Sequence, residues 1–280
     1  MTSPAGLTPL LALVDSPATS KVEYVTGGTT LTGRAREAAA QLLADDAVSL
    51  ACGASPVVDL WRARRDGGPS ATGSSLRALE TFVKIAFKLP GEEPNKDHLQ
   101  GHVAELLWNR LIQERAVCRD GRKLVKAHAV KVDPLEPGGD GLVIYSDCSD
   151  TLVFRLWEIK KHDKKVGISA TINTASKQLS ERGSVYLAKL AAPESMTDDA
   201  ALGQLYANMV EMWFDRSERV GVGISVGTSA THVPKSSRTF GSLKKQFPEF
   251  GAAQTEGIVV AVPDFPGFAE RVQEIVWSGL

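Results

Sequence analysis

Two carboxylates and one amine, Asp140, Glu158 and Lys160, are the residues of this 280-residue chain whose types and spacing best suit them for chemistry. Glu158 and Lys160 close the segment 154–160, Phe-Arg-Leu-Trp-Glu-Ile-Lys, which reads as a strand: aromatic and branched residues dominate, with no Gly or Pro inside. Alternation along a strand puts Phe154, Leu156, Glu158 and Lys160 on one face and Arg155, Trp157 and Ile159 on the other. Asp140 stands between glycines just before the apolar run 142–145, and a polar turn over 146–150 joins that run to the first segment. The pair of runs predicts a β-hairpin whose antiparallel strands bring Asp140 and Glu158 to the same end. Glycines on both sides of Asp140 let the backbone come close to a ligand. Two carboxylates converging beside a lysine suit a hard divalent cation such as Mg²⁺, with Mn²⁺ as a substitute. Glu158 and Lys160 would equally serve as the solvated end of an edge strand.

Asp140, the intervening hairpin and the Glu158-Ile159-Lys160 triplet resemble the signature of the PD-(D/E)XK nuclease superfamily. One departure is that Pro137 is separated from Asp140 by two glycines. The resemblance implies an α/β, restriction-endonuclease-like core of helix, three-strand meander, helix and strand, covering about residues 95–227. It implies that Asp140 and Glu158 are metal ligands, with the Ile159 carbonyl as a further one. It also implies a glutamate on the first helix, for which Glu105 is the candidate, and a polar residue on the second, for which Gln178 is the candidate.

The elements needed to position these groups can be found along the chain. Asn95 can cap a helix running to about residue 116, with Leu99, Val103, Leu106, Leu107 and Leu111 as its buried stripe. His98, His102 and Glu105 follow one another at helical spacing. His at i and i+4 can chelate zinc, which leaves a zinc hydrolase as another reading; the metalloprotease pattern, however, needs Glu where Leu99 stands. A first strand is expected over 125–132. The segment 115–131 is basic (Arg115, Arg119, Arg122, Lys123, Lys126, Lys131), and Lys160, Lys161, Lys164 and Lys165 form a second cluster. Either group could grip phosphates. Helices are predicted over 171–190 (with Gln178, with Arg182 on the same face, and with Gly183 as a weak point) and over 197–213. Strands follow over 219–226 and 257–262, and a closing helix over 268–277.

Residues 1–90 read as a mainly helical docking or substrate-facing region, with helices over 34–43 and 74–87 and an exposed loop over 62–75. Residues 91–280 read as the nuclease-like domain, with 228–280 as an extension. The glycine spacing over 28–33 lacks the lysine and the Ser/Thr of a phosphate loop, which argues against nucleotide hydrolysis there.

Composition bounds these readings. The chain is 43% hydrophobic, enough for a sizeable core, and its formal net charge of -1 confines any nucleic-acid surface to a local patch. Cys52, Cys118 and Cys148 form no C-x-x-C pair, which points to free buried thiols in a reducing cytoplasm. No apolar run spans a bilayer, and the run 7–14 lacks the basic flank of a signal peptide, so the expected location is cytoplasmic.

Together these features predict a Mg²⁺-dependent nuclease acting on DNA. The elaborated N-terminal region and short C-terminal extension are similar in form to Hachiman-type anti-phage defence nuclease subunits, which implies a prokaryotic defence or restriction setting and a helicase or ATPase partner. Two other outcomes stay open: a nuclease-fold protein that binds nucleic acid or a partner without cutting, and the zinc hydrolase built on His98 and His102.

Overall fold

A computed structural model describes residues 6–93, 95–115, 121–128, 130, 139–163 and 166–280. The chain is mixed α/β. Its seven strands are β1 (Val14–Asp15), β2 (Glu23–Gly27), β3 (Lys123–Ala127), β4 (Gly141–Ser146), β5 (Leu152–His162), β6 (Val220–Ser229) and β7 (Thr255–Val262). They form one sheet in the order β1-β2-β7-β6-β5-β4-β3. β2, β7, β6 and β5 run parallel, while β5-β4-β3 is an antiparallel meander and β1 pairs antiparallel with β2.

The central strands are covered on both faces, as parallel sheets require. One face packs on α1 (Thr8–Leu11), α2 (Gly33–Cys52), α3 (Val57–Arg65), α4 (Gly73–Phe87), α5 (Lys96–Glu114) and α9 (Phe265–Ser278). The other packs on α6 (Ser169–Ala191), α7 (Ala200–Phe214) and the short α8 (Gly241–Gln246). Alternation along β5 divides as expected. Trp157 and Ile159 join the α5 side, and Phe154 and Leu156 the α6 side.

The helices begin where local chemistry lets them. Asn95 accepts from the backbone N–H groups of Asp97 and His98 at the start of α5, and Asp199 accepts from those of Ala201 and Leu202 at the start of α7. The hairpin turn between β4 and β5 is tied by Asp147, whose Oδ1 accepts from the N–H groups of Ser149 and Thr151 at 2.8 and 2.9 Å.

Residues 6–90 are less separate and less purely helical than the sequence suggests. β2 extends the sheet beside β7, and α2 to α4 share one hydrophobic core with α5 and α9. The expected exposed loop begins inside α3, whose Trp61 is fully buried and donates from Nε1 to the Val276 carbonyl at 2.8 Å. Of the thiols, Cys52 is buried, and burial pushes its pKa up to about 11. Cys148 is exposed, contrary to the expectation of buried thiols, because it sits in the β4–β5 turn; Cys118 lies outside the described residues. Among the described residues no helix is long and apolar enough to cross a membrane.

Gly183, expected from the sequence to be a weak point in its helix, has a packing purpose. It is buried, and a Cβ there would overlap the Trp213 ring of α7. Alanine gains about 1 kcal/mol of helix propensity over glycine, but overpacking of this kind costs about 1–3 kcal/mol. Gly183→Ala is therefore expected to lower the urea midpoint. An unchanged or raised midpoint would reject the close packing of α6 on α7.

Candidate functional site

β5 lies between β4 and β6 and is buried along most of its length, so charges on it need partners close by. Glu158 is 1% exposed and receives the Lys160 ammonium at 2.5 Å from Oε1. Asp140, just ahead of β4, lies 3.9 Å from the same Nζ. The two carboxylates and the amine converge as the hairpin predicts. The strand is central and not an edge, so the reading of Glu158 and Lys160 as a solvated edge-strand end is set aside.

Asp140 has a second task. The β4–β5 ladder closes at Gly141 opposite Trp157, and beyond it the Ile159 N–H donates to Asp140 Oδ2 at 2.9 Å. A side chain thus replaces the backbone acceptor that the ladder stops supplying. The N–H and C=O of a strand residue leave by the same edge, so the Ile159 carbonyl is directed to the Asp140 side.

The glycines around Asp140 serve packing rather than ligand approach, which corrects the sequence reading. A Cβ on Gly141 would enter the Trp108 ring of α5, and a Cβ on Gly139 would press on Tyr186 of α6. The segment is clamped between aromatic rings from the two helical layers, and this fixes where the Asp140 carboxylate begins. Pro137 lies outside the described residues.

Lys160 holds its proton more tightly than an ordinary lysine. Burial opposes its charge, but Glu158 and Asp140 together, with Tyr186 adding to them, outweigh that and raise its pKa. It is therefore an ammonium at neutral pH, a donor and counter-charge, and unsuited to act as a base.

Gln178 lies on α6 but bonds Tyr186, its Nε2 donating to the phenol oxygen at 3.4 Å. Tyr186 thus links Gln178, Gly139 and the field at Lys160, a role its place on an amphipathic helix gave no sign of. Glu105 is half-buried on α5, which covers the opposite face of the sheet from Lys160. Among the described residues no group of three or more His, Cys, Asp or Glu side chains is gathered to hold a metal ion. Glu105 is thus not assembled with Asp140 and Glu158 into a three-carboxylate cluster. The same finding gives the His98 and His102 pair no third zinc ligand. His98 is exposed beside Asn95, while His102 is buried edge-on against Phe87, where burial lowers its pKa to about 4.

The basic residues near β3 are mostly engaged in holding the fold. Arg115 pairs with Glu256 at 3.1 Å, Arg122 donates to the Ala253 carbonyl at 2.6 Å and Lys126 pairs with Glu194 at 2.6 Å. Lys161 bridges Asp97, at 2.7 Å, and Asp163. Lys123 and Arg182 are exposed. Arg119, Lys131, Lys164 and Lys165 lie outside the described residues.

A divalent cation suits this donor set in part. Mg²⁺ is commonly held by one or two carboxylates together with water and substrate phosphate. Asp140 and Glu158 supply two hard oxygen donors already drawn toward one cation, the Lys160 ammonium. No protein-family model matches the chain, and a search of curated proteins finds no match.

Because the Lys160 pKa is raised on folding, its ion pairs stabilise the fold fully below the ordinary lysine value, about 10.4, and that stabilisation is lost as pH rises past it toward the folded value. The stability gap between the wild type and Lys160→Met, from urea unfolding at pH 7 to 11.5, should stay level up to about pH 10 and then shrink. A gap that widens with pH would contradict the ion-paired arrangement.

Proposed function

We propose that this chain is a metal-dependent nuclease that hydrolyses phosphodiester bonds of DNA, with a restriction-endonuclease-like core formed by α5, β3, β4, β5, α6 and β6. The convergence of Asp140 and Glu158 on the Lys160 ammonium, at 3.9 and 2.5 Å, carries this reading. Element order supports it: helix, three-strand meander, helix and, after the added helix α7, a strand parallel to the last of the meander follow the order of the PD-(D/E)XK superfamily. Asp140 and Glu158 would hold Mg²⁺ or Mn²⁺, with the Ile159 carbonyl directed to the same edge. A bound divalent ion supplies Lewis-acid stabilisation of phosphate charge and a lower pKa for bound water.

The chain's own residues divide the remaining work. Asp140, anchored by the Ile159 N–H, keeps the carboxylates at a fixed separation. Lys160, held protonated, gives a positive group that can hydrogen-bond a phosphoryl oxygen as charge builds on it. Gln178 bonds Tyr186 on the α6 side, and the Tyr186 phenol adds to the field that keeps Lys160 charged.

The net charge of -1, with Arg115, Arg122 and Lys126 engaged in the fold, supports a partner that supplies the grip on nucleic acid, such as a helicase or ATPase subunit in a prokaryotic defence system. The isolated chain should accordingly bind oligonucleotides weakly at physiological salt.

Incubation of plasmid and of single-stranded DNA and RNA with the protein, with Mg²⁺, Mn²⁺ or EDTA, tests the reading. Metal-dependent cleavage is expected, and Glu158→Gln and Lys160→Ala should each lower the rate by about 10²-fold or more. Nucleic-acid binding with no cleavage under any metal would favour a catalytically silent nuclease fold. Cleavage indifferent to both variants would reject the site.

A further inference from the structure

Acidic and basic residues nearly balance over the whole chain, yet residues 220–248 contain no Asp or Glu. This stretch runs through β6, the 3₁₀ turn Ala230–His232 and a short loop into α8. Past the end of β6 it carries Lys235, Arg238, Lys244 and Lys245.

The part of the stretch that follows β6 is built on a fixed base. Phe240, Leu243 and Phe247 are buried in the core on the α6 side of the sheet, the side on which Glu158 and Lys160 also lie. The Phe240 ring stacks on Tyr24 with centroids 5.0 Å apart, and Ser242 Oγ lies 2.9 Å from Ser176 Oγ of α6. Successive turns join the loop to α8: the Thr239 N–H donates to the Ser236 carbonyl at 3.1 Å, and the Gly241 N–H to the Arg238 carbonyl at 2.8 Å.

The cations on this base differ in what they do. Lys244 donates to the Pro248 carbonyl at 2.9 Å and to the Phe250 carbonyl, so it holds the fold. Lys235, Arg238 and Lys245 are exposed, and among the described residues none of them forms an ion pair. They contrast in this with Arg115 and Lys126, whose charges are answered by Glu256 and Glu194. No large apolar side chain is exposed anywhere in 220–248. A protein partner is gripped chiefly through buried aromatic or aliphatic anchors, whereas phosphates are gripped by cations and hydroxyls alone. The exposed Thr231 and Ser236 supply hydroxyls beside the cations.

We propose that Lys235, Arg238 and Lys245 form a contact surface for the sugar-phosphate backbone of DNA. The choice of DNA among polyanions rests on the nuclease reading. Three contacts are few. On a single strand each neutralised phosphate contributes about 0.7 to the slope of log affinity against log salt, so three give a slope of about -2 and a loss of about 20-fold between 50 and 200 mM. Such a surface agrees with weak binding at physiological salt and leaves the rest of the grip to a partner.

The test is fluorescence anisotropy of a labelled single-stranded DNA oligonucleotide in EDTA, over about 50–200 mM salt. Combined Lys235→Gln, Arg238→Gln and Lys245→Gln should weaken binding and lower the magnitude of the slope by about 2, with an unchanged urea midpoint. Combined Arg34→Gln, Arg77→Gln and Lys88→Gln removes as much charge from exposed positions on the other helical layer and should leave the slope as it is. A wild-type slope in the first variant, or an equal loss in the second, overturns the surface. Polyglutamate bound as tightly as DNA of the same charge, and lost in the first variant alone, assigns the surface to an acidic protein and overturns the DNA assignment. Cleavage with metal is scored separately: the expected slopes without cleavage under any metal overturn the nuclease reading and leave the surface standing, and cleavage with unaltered slopes does the reverse.

Discussion

A central strand covered on both faces has no water to spare for charge, and that constraint governs this protein. β5 carries Glu158 and Lys160 beside Phe154, Leu156, Trp157 and Ile159, and Arg155 is buried on its other face. An isolated buried carboxylate would be neutralised or would destabilise the sheet. Here the ammonium two residues on answers it directly, and Asp140 supplies a second negative group from the neighbouring strand end. Buried ion pairs are weak evidence of stability, because desolvation consumes much of the Coulomb gain. Two carboxylates around one amine therefore do not by themselves account for the stability of the sheet. Its two carboxylates are drawn together around the Lys160 ammonium.

The parts of this arrangement that were legible in sequence are those set by local rules. Period-two alternation put Glu158 and Lys160 on the face opposite Trp157 and Ile159. The hairpin brought Asp140 to Glu158, and the Asn95 cap, α6, β6, β7 and α9 fell where pattern and capping put them. What escaped depends on partners distant in the chain. β2 is five residues long and joins the sheet by pairing with β7, more than 200 residues later, with the two-residue β1 on its other side. α3 carries four charges in nine residues and is anchored by Trp61 against α9. Arg115, Arg122 and Lys126 looked like a phosphate grip because Glu256, the Ala253 carbonyl and Glu194 cannot be assigned to them from spacing. Glu105 followed the helical pattern well, yet α5 covers the other face of the sheet.

The glycines at 139 and 141 show how one residue type supports two different inferences. A glycine beside a candidate ligand residue can admit a substrate to the backbone, or it can admit a side chain of the protein itself. Trp108 and Tyr186 take up that room, one from each helical layer. Trp108 in turn lies against Trp157 at a ring separation of 5.9 Å, and a Cβ on Gly223 of β6 would meet the Trp157 ring. Position at the site is thus set by interlocked rings, which resist displacement far more steeply than an ion pair does. Asp140 has freedom only in its side chain, and the Ile159 N–H removes part of that.

This division of labour separates precision from charge. The α5 layer is apolar against the sheet and sets distances, whereas the α6 side of β5 presents Glu158, Lys160 and His162 in succession toward the strand ends. Along that face a pair of carboxylates is followed by the ammonium and then by the buried His162 ring, whose Nδ1 lies 2.7 Å from Thr171 Oγ1. All of these groups lie on the face next to the point where the β4 ladder ends and leaves the Ile159 N–H to the Asp140 side chain. Continuing β4 by two residues would give Ile159 a backbone acceptor and take from Asp140 the bond that positions it.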